Sequence, residues 1–181
     1  MTRRAILAFI LLGIGLAGCE HQEESIPPAL AELHQRAAAG DAGAQLELGM
    51  RYVTGKGINA DEQAALDWIG KAAAQGNAAA QFELGGYYTL EPHRDWRRAV
   101  DLLRQSALRG YAPAQTSLAM LYLTGAGVAE DRIEAYAWLL LAAEQGEHDA
   151  RDRVPDVQAG LSDAEREQAR QRAHRYRQGS L

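Results

Sequence analysis

Side chains able to act as nucleophiles, metal ligands or proton carriers are few in this 181-residue sequence, and they are poorly grouped. There is one thiol, Cys19. The histidines at 21, 34, 93, 148 and 174 are scattered, with no pair at zinc-ligand spacing. Ser106, Ser117, Ser162 and Ser180 lie in helical or tail contexts, and no Gly-x-Ser-x-Gly elbow frames any of them. Gly55-Lys56-Gly57 has neither a Lys-Ser/Thr ending nor a preceding strand, which makes it a turn rather than a phosphate loop. Carboxylates are numerous but recur mostly at helix-capping positions. The expectation is a protein with no catalytic residue, no metal site and no cofactor.

The one thiol has a different chemistry available to it. Arg3 and Arg4 precede an apolar run from Ala5 to Ala17, the layout of a secretory signal. The run is shorter than the roughly 20 apolar residues that span a bilayer. It ends in Leu16-Ala17-Gly18-Cys19, which resembles the lipobox of bacterial lipoproteins. That resemblance implies removal of residues 1–18 and lipidation of Cys19. With a single cysteine, no disulfide forms within the chain. Each buried acyl CH2 stabilises membrane attachment by roughly 0.8 kcal/mol, so several chains anchor durably. By resemblance to the sorting pattern, Glu20 after the cysteine implies the outer membrane, facing the periplasm. Residues 19–28 then form the lipidated start and a tether of at most about 30 Å.

Loss of residues 1–18 removes two arginines and no acid, taking the net charge from −5 to −7. That balance leaves no broad basic face and excludes a nucleic-acid partner. After Glu167 the tail carries Arg170, Arg172, His174, Arg175 and Arg177 without an acid. Such cations suit the carboxy-terminal end of a helix dipole, or contact with acidic headgroups or an acidic partner.

The elements behind these residues follow from an internal repeat. Gly40, Gly76, Gly110 and Gly146 recur at spacings of 36, 34 and 36 residues, each with an alanine four residues on (Ala44, Ala80, Ala114, Ala150). The same offsets align Leu48 with Leu84 and Leu118, and Tyr52 with Tyr88 and Tyr122. They also align Asp61, Asp95 and Asp131, then Trp68, Leu102 and Trp138. A period of this length marks stacked supersecondary units. Within a unit, Ala44, Leu48 and Tyr52 share one helical face, as do Ala65, Trp68, Ala72 and Ala73. Gly55-Lys56-Gly57-Ile58 and Gly125-Ala126-Gly127-Val128 separate the two helices of their units, and the aspartates cap the second helix.

This arrangement resembles the Sel-one-like repeat family, relatives of the tetratricopeptide repeats, over about residues 40–151. The resemblance implies an all-α, right-handed α/α solenoid with capping helices at both ends, spanning residues 29–181. Its units are expected at about 40–75, 76–109 and 110–145, with a cap over 146–181. The second unit departs from the pattern, reading Thr89-Leu90-Glu91-Pro92-His93-Arg94 where the others have Gly-x-Gly. Pro27-Pro28 opens an amino-terminal helix over 29–39. Pro155 is expected to stop the helix that follows Gly146, and Ser162-Asp163-Ala164-Glu165 forms a capping box for a final helix to about Tyr176.

Positions filled alike in all units, the Leu48 and Tyr52 sets among them, read as core. One residue earlier lie Glu47, Glu83 and Ser117, and Arg51, Tyr87 and Leu121, which differ between units. By resemblance to tetratricopeptide arrays these six line a concave groove; Tyr87 and Leu121 are alternatively extra core. Trp96 stands where its aligned neighbours are Glu62 and Arg132, either replacing lost packing or forming an exposed anchor. The resulting expectation is a lipid-anchored scaffold or adaptor that binds another envelope or secreted protein through its groove. An immunity-type inhibitor that neutralises a secreted toxin is the alternative, and a cell-wall or β-lactam hydrolase the third.

Overall fold

The computed structural model describes residues 28–179. Among these the chain forms nine helices and no strand: α1 (Pro28–Ala38), α2 (Ala42–Thr54), α3 (Glu62–Ala74), α4 (Ala78–Tyr87), α5 (Trp96–Leu108), α6 (Ala112–Thr124), α7 (Arg132–Glu144), α8 (His148–Ala159) and α9 (Asp163–Arg177). Each helix from α1 to α8 packs chiefly on its sequence neighbours, while α9 packs on α7. This is an all-α repeat solenoid. The expectations for the leader and for Cys19 fall outside the described residues.

The turns follow the chemistry read from the sequence. Asp61, Asp95 and Asp131 cap α3, α5 and α7, each carboxylate accepting a backbone N–H from the first turn. The amides of these aspartates also donate to the carbonyls of Tyr52, Tyr88 and Tyr122 at 2.9–3.1 Å, tying the two helices of every unit together. Gly55 and Gly125 end α2 and α6 at φ +69°, a left-handed conformation that a Cβ disfavours. Ser162 and Glu165 form the capping box of α9.

Packing between helices depends on small residues. A Cβ on Gly49 would stand 2.5 Å from Ile69 Cγ1, so α2 and α3 touch there because no side chain intervenes. Leu48, Leu103, Leu118 and Leu139 are fully enclosed, each stabilising the fold by roughly 1.5–3 kcal/mol. Leu84 and the three aligned tyrosines are only half-buried, which corrects the reading of these positions as uniform core. The Tyr88 and Tyr122 hydroxyls accept from Arg98 and Arg104 at 3.1 Å. A phenol with a polar tip settles where its body is covered and its oxygen is wet.

A second correction concerns Pro155, which lies inside α8 rather than at its end. Pro155 and Arg151 are both exposed, so solvent serves the carbonyl that loses its helical bond. Ala150 and Val157, both buried, hold the two halves of α8 in place. The helix stops at Gly160 instead.

A glutamine ladder links the units. Gln45, Gln81 and Gln115 are buried, and each donates Nε2 to a carbonyl eight residues earlier, of Ala37, Ala73 and Ala107, at 3.0–3.1 Å. Gln75 and Gln145, the C-cap residues of α3 and α7, complete two rungs by donating to the Oε1 of Gln45 and Gln115 at 2.7 and 2.8 Å. At the matching C-cap of α5 stands Arg109, and Gln81 Oε1 has no partner.

Candidate functional site

A groove of about 760 Å³ runs between α2, α3 and α4. Met50 and Val53 come from α2, Leu66 and Ile69 from α3, and Phe82, Glu83 and Tyr87 from α4. The loop after α4 adds Thr89 and Leu90. Among the described residues two large apolar side chains stay exposed, Val53 at 55% and Leu90 at 63%, and both line this groove. Isolated exposed apolar residues are ordinary; here two converge on one concave surface.

The irregular second unit builds one end of it. At the position of Leu90 the other units carry Thr54 and Thr124, whose hydroxyls bond back to the carbonyls of Met50 and Met120 at 2.9 Å. Leucine has no such bond to make, and it projects. The loop itself is fastened to α3. Tyr87 donates its hydroxyl to Glu62 Oε1 at 2.9 Å, and its ring stacks on His93 at 4.8 Å. His93 Nε2 lies 3.3 Å from the same carboxylate oxygen. Burial first, and then the bond to Glu62, push the Tyr87 hydroxyl up to about 12, so it remains a donor at neutral pH.

Glu83 and Tyr87 are thus gathered into the groove. Glu47 and Arg51 form an ion pair with each other at 2.9 Å on α2 and do not line it. Ser117 is half-buried on α6, away from the lining. Leu121 is 7% exposed and belongs to the carboxy-terminal core with Tyr136 and Leu139, so a strip running along all three first helices does not exist. A leucine on a helix flanked on both sides gains more from burial than from solvent exposure. Trp96 opens α5, half-buried against the same core. A Cβ on Gly127 would fall 2.5 Å from the Trp96 carbonyl oxygen, so the third unit's glycine turn sits directly on this residue.

The sequence reading missed Met50, Val53, Phe82 and Leu90 as groove residues. The signal for Leu90 was present, an apolar residue in a slot that the neighbouring units fill with threonine. The basic tail also has another explanation. Arg172 Nη1 donates to Asp131 Oδ2 and Glu134 Oε2 at 2.8 Å, and the Tyr176 hydroxyl and Trp138 Nε1 both donate to Glu134 Oε1 at 2.6 and 2.9 Å. The rings of Trp138 and Tyr176 stack at 4.4 Å. Arg170 pairs with Glu167, and Arg177 with Glu144. Burial pushes the Asp131 carboxyl up, but the Arg172 bond and the amides of Glu134 and Ile133 outweigh it and hold it low. These contacts fasten α9 to α7 and cap the array. Among the described residues no group of three or more His, Cys, Asp or Glu side chains is arranged to hold a metal, and no helix is long and apolar enough to cross a membrane.

Stacked helix pairs with a side groove define a class, the helical-repeat scaffolds whose surfaces take up other macromolecules. The chain belongs to the Sel1 repeat family, whose sequence profile matches residues 42–77, 78–111 and 112–147. It is 34% identical over 147 residues to the alginate biosynthesis protein AlgK of Azotobacter vinelandii, a match covering 77% of this chain and 31% of that protein. The chain therefore spans about a third of that relative's length. Among solved structures it is similar to a Sel1 repeat protein from Oxalobacter formigenes, with 35% identity and a TM-score of 0.67 over 71% of this chain and 98% of the other. It is also similar to c5321, a protective antigen of uropathogenic Escherichia coli with an SLR fold, with 39% identity and a TM-score of 0.64 over 66% of this chain and 26% of the other.

Proposed function

We propose that this chain is a lipid-anchored protein of the bacterial envelope that binds a protein partner in the α2–α4 groove and performs no catalysis. The observation that carries the reading is the convergence of Val53 and Leu90, both exposed, on one concave apolar surface. An adaptor needs a stable scaffold and a surface that differs from its repeating frame, and both features are present. Likeness to a protein named for alginate biosynthesis supports a place within a biosynthetic assembly. The Leu16-Ala17-Gly18-Cys19 motif supports attachment through a lipidated Cys19, with the outer membrane as the destination.

Photocrosslinkers placed at residues 53 and 90 in living cells test the groove. A discrete crosslinked protein, lost when the opposite residue is changed to serine, supports the reading; crosslinks equal to those from exposed control sites on α9 refute it. Metabolic labelling with an alkyne fatty acid tests the anchor. Label present in the wild type and absent in Cys19→Ser supports lipidation, and label absent from both refutes it.

A further inference from the structure

The charge around the groove narrows the chemistry of what it holds. Apart from tyrosine, the ionisable residues lining it are Asp61, Glu62 and Glu83, all acids. Their circumstances differ. Asp61 is occupied in capping α3, and Glu62 is held by Tyr87 and His93. Glu83 is half-buried and, among the described residues, takes part in no hydrogen bond or ion pair. Burial raises its pKa, the behaviour of a carboxylate that has lost water and gained no partner. Next to it along α4 are Phe82 and Tyr87, and across the groove stand Met50, Val53 and Leu66.

We infer that the occupant is a cationic amphipathic peptide segment of the partner, whose apolar side chains enter the groove while a lysine or arginine pairs with Glu83. This rests on the groove being the binding surface proposed above and adds what it selects. An anionic segment would meet Asp61, Glu62 and Glu83 together and be rejected. A neutral apolar segment would cover Glu83 and leave it with neither water nor counter-ion, which costs more than a solvated carboxylate. A cation restores the solvation that folding removed, and the long stem of lysine or arginine adds apolar contact with the walls. The acids of the lining also favour encounter with a basic segment, an effect weakened by salt.

The test is a selection of random displayed peptides on the soluble chain, residues 20–181. The selected sequences are then synthesised and titrated against wild type, Glu83→Gln and Leu90→Ser, with helicity checked by circular dichroism. The expected peptides carry lysine or arginine beside apolar residues, and their affinity falls about tenfold in Glu83→Gln. Replacing the peptide's cation by glutamine should cost the same and abolish the sensitivity to Glu83→Gln. Peptides that need Leu90 but lack cations and ignore Glu83→Gln overturn the inference while leaving the groove in place. Peptides indifferent to Leu90→Ser overturn the groove itself. A selection that yields acidic peptides, or none, also overturns the inference.

Discussion

Arg109→Gln should stabilise this protein, although the wild-type side chain is a charged residue on an exposed helix end. The backbone of Arg109 (φ −84°, ψ 5°) matches that of Gln75 (φ −78°, ψ 0°) and Gln145 (φ −81°, ψ −2°), so a glutamine there meets the same geometry as in the other units. Its amide would then donate to Gln81 Oε1, which is buried without a partner. An unsatisfied buried acceptor costs about 1–3 kcal/mol. The bond that Arg109 makes to the Gln105 carbonyl at 3.0 Å is exposed to water, which competes for both groups, so it offsets only part of that. The net gain is about 1 kcal/mol, or a rise in Tm of about 2–4 °C for a domain of this size. Urea titration and calorimetry of residues 20–181 measure it. Gln81→Met in both backgrounds isolates the pair, because coupling between 81 and 109 should exist only with glutamine at 109. A variant no more stable than wild type, or a double-mutant cycle without coupling, refutes the ladder as an energetic feature.

Arg172→Ala should cost about 2–3 kcal/mol in urea titration, because it strips the counter-charge from Asp131 and the buried Glu134. Asp131 is held low when folded, so its share of stability is complete above its unfolded value near pH 4 and disappears as the pH falls through the lower, folded value. The gap between Arg172→Ala and wild type should therefore close in acid. Glu83→Gln should raise stability near neutral pH in the absence of a partner. The raised pKa means the folded state loses stability as the pH climbs from the ordinary glutamate value through the folded one, and a pH series of melts should show this slope removed in the variant. Gly127→Ala should cost clearly more than Gly57→Ala in paired melts. Both glycines have positive φ, but a Cβ at Gly57 meets nothing within 4 Å, whereas at Gly127 it strikes the Trp96 backbone at 2.5 Å.

The backbone tasks that the units share were readable from the sequence. The aligned aspartates, the Gly-x-Gly turns and the Ser162–Glu165 box each perform a local backbone task that depends on neighbours within a few residues. Aligning the units marked Glu83, Tyr87 and Leu121 alike as departures from the shared frame, yet the first two line the groove and Leu121 lies in the core. The difference between those sites is tertiary: α6 is enclosed within the carboxy-terminal core, while α4 borders a gap beside an irregular loop. Pro155 misled because helix breaking is argued from one lost bond, and burial of Ala150 and Val157 outweighs that loss. The tail arginines were ambiguous because Asp131 and Glu134 lie about forty residues away in sequence, beyond the reach of any periodicity.

The placement of the groove at the amino-terminal side of the array has a mechanical consequence. Helices touch chiefly their successors, so with the proposed anchor and groove, tension between Pro28 and an occupant of α2, α3 and α4 would be carried by α1 to α4. The five helices beyond stay slack. Pulling would load α1 to α4 first and leave α5 to α9 outside the line of force.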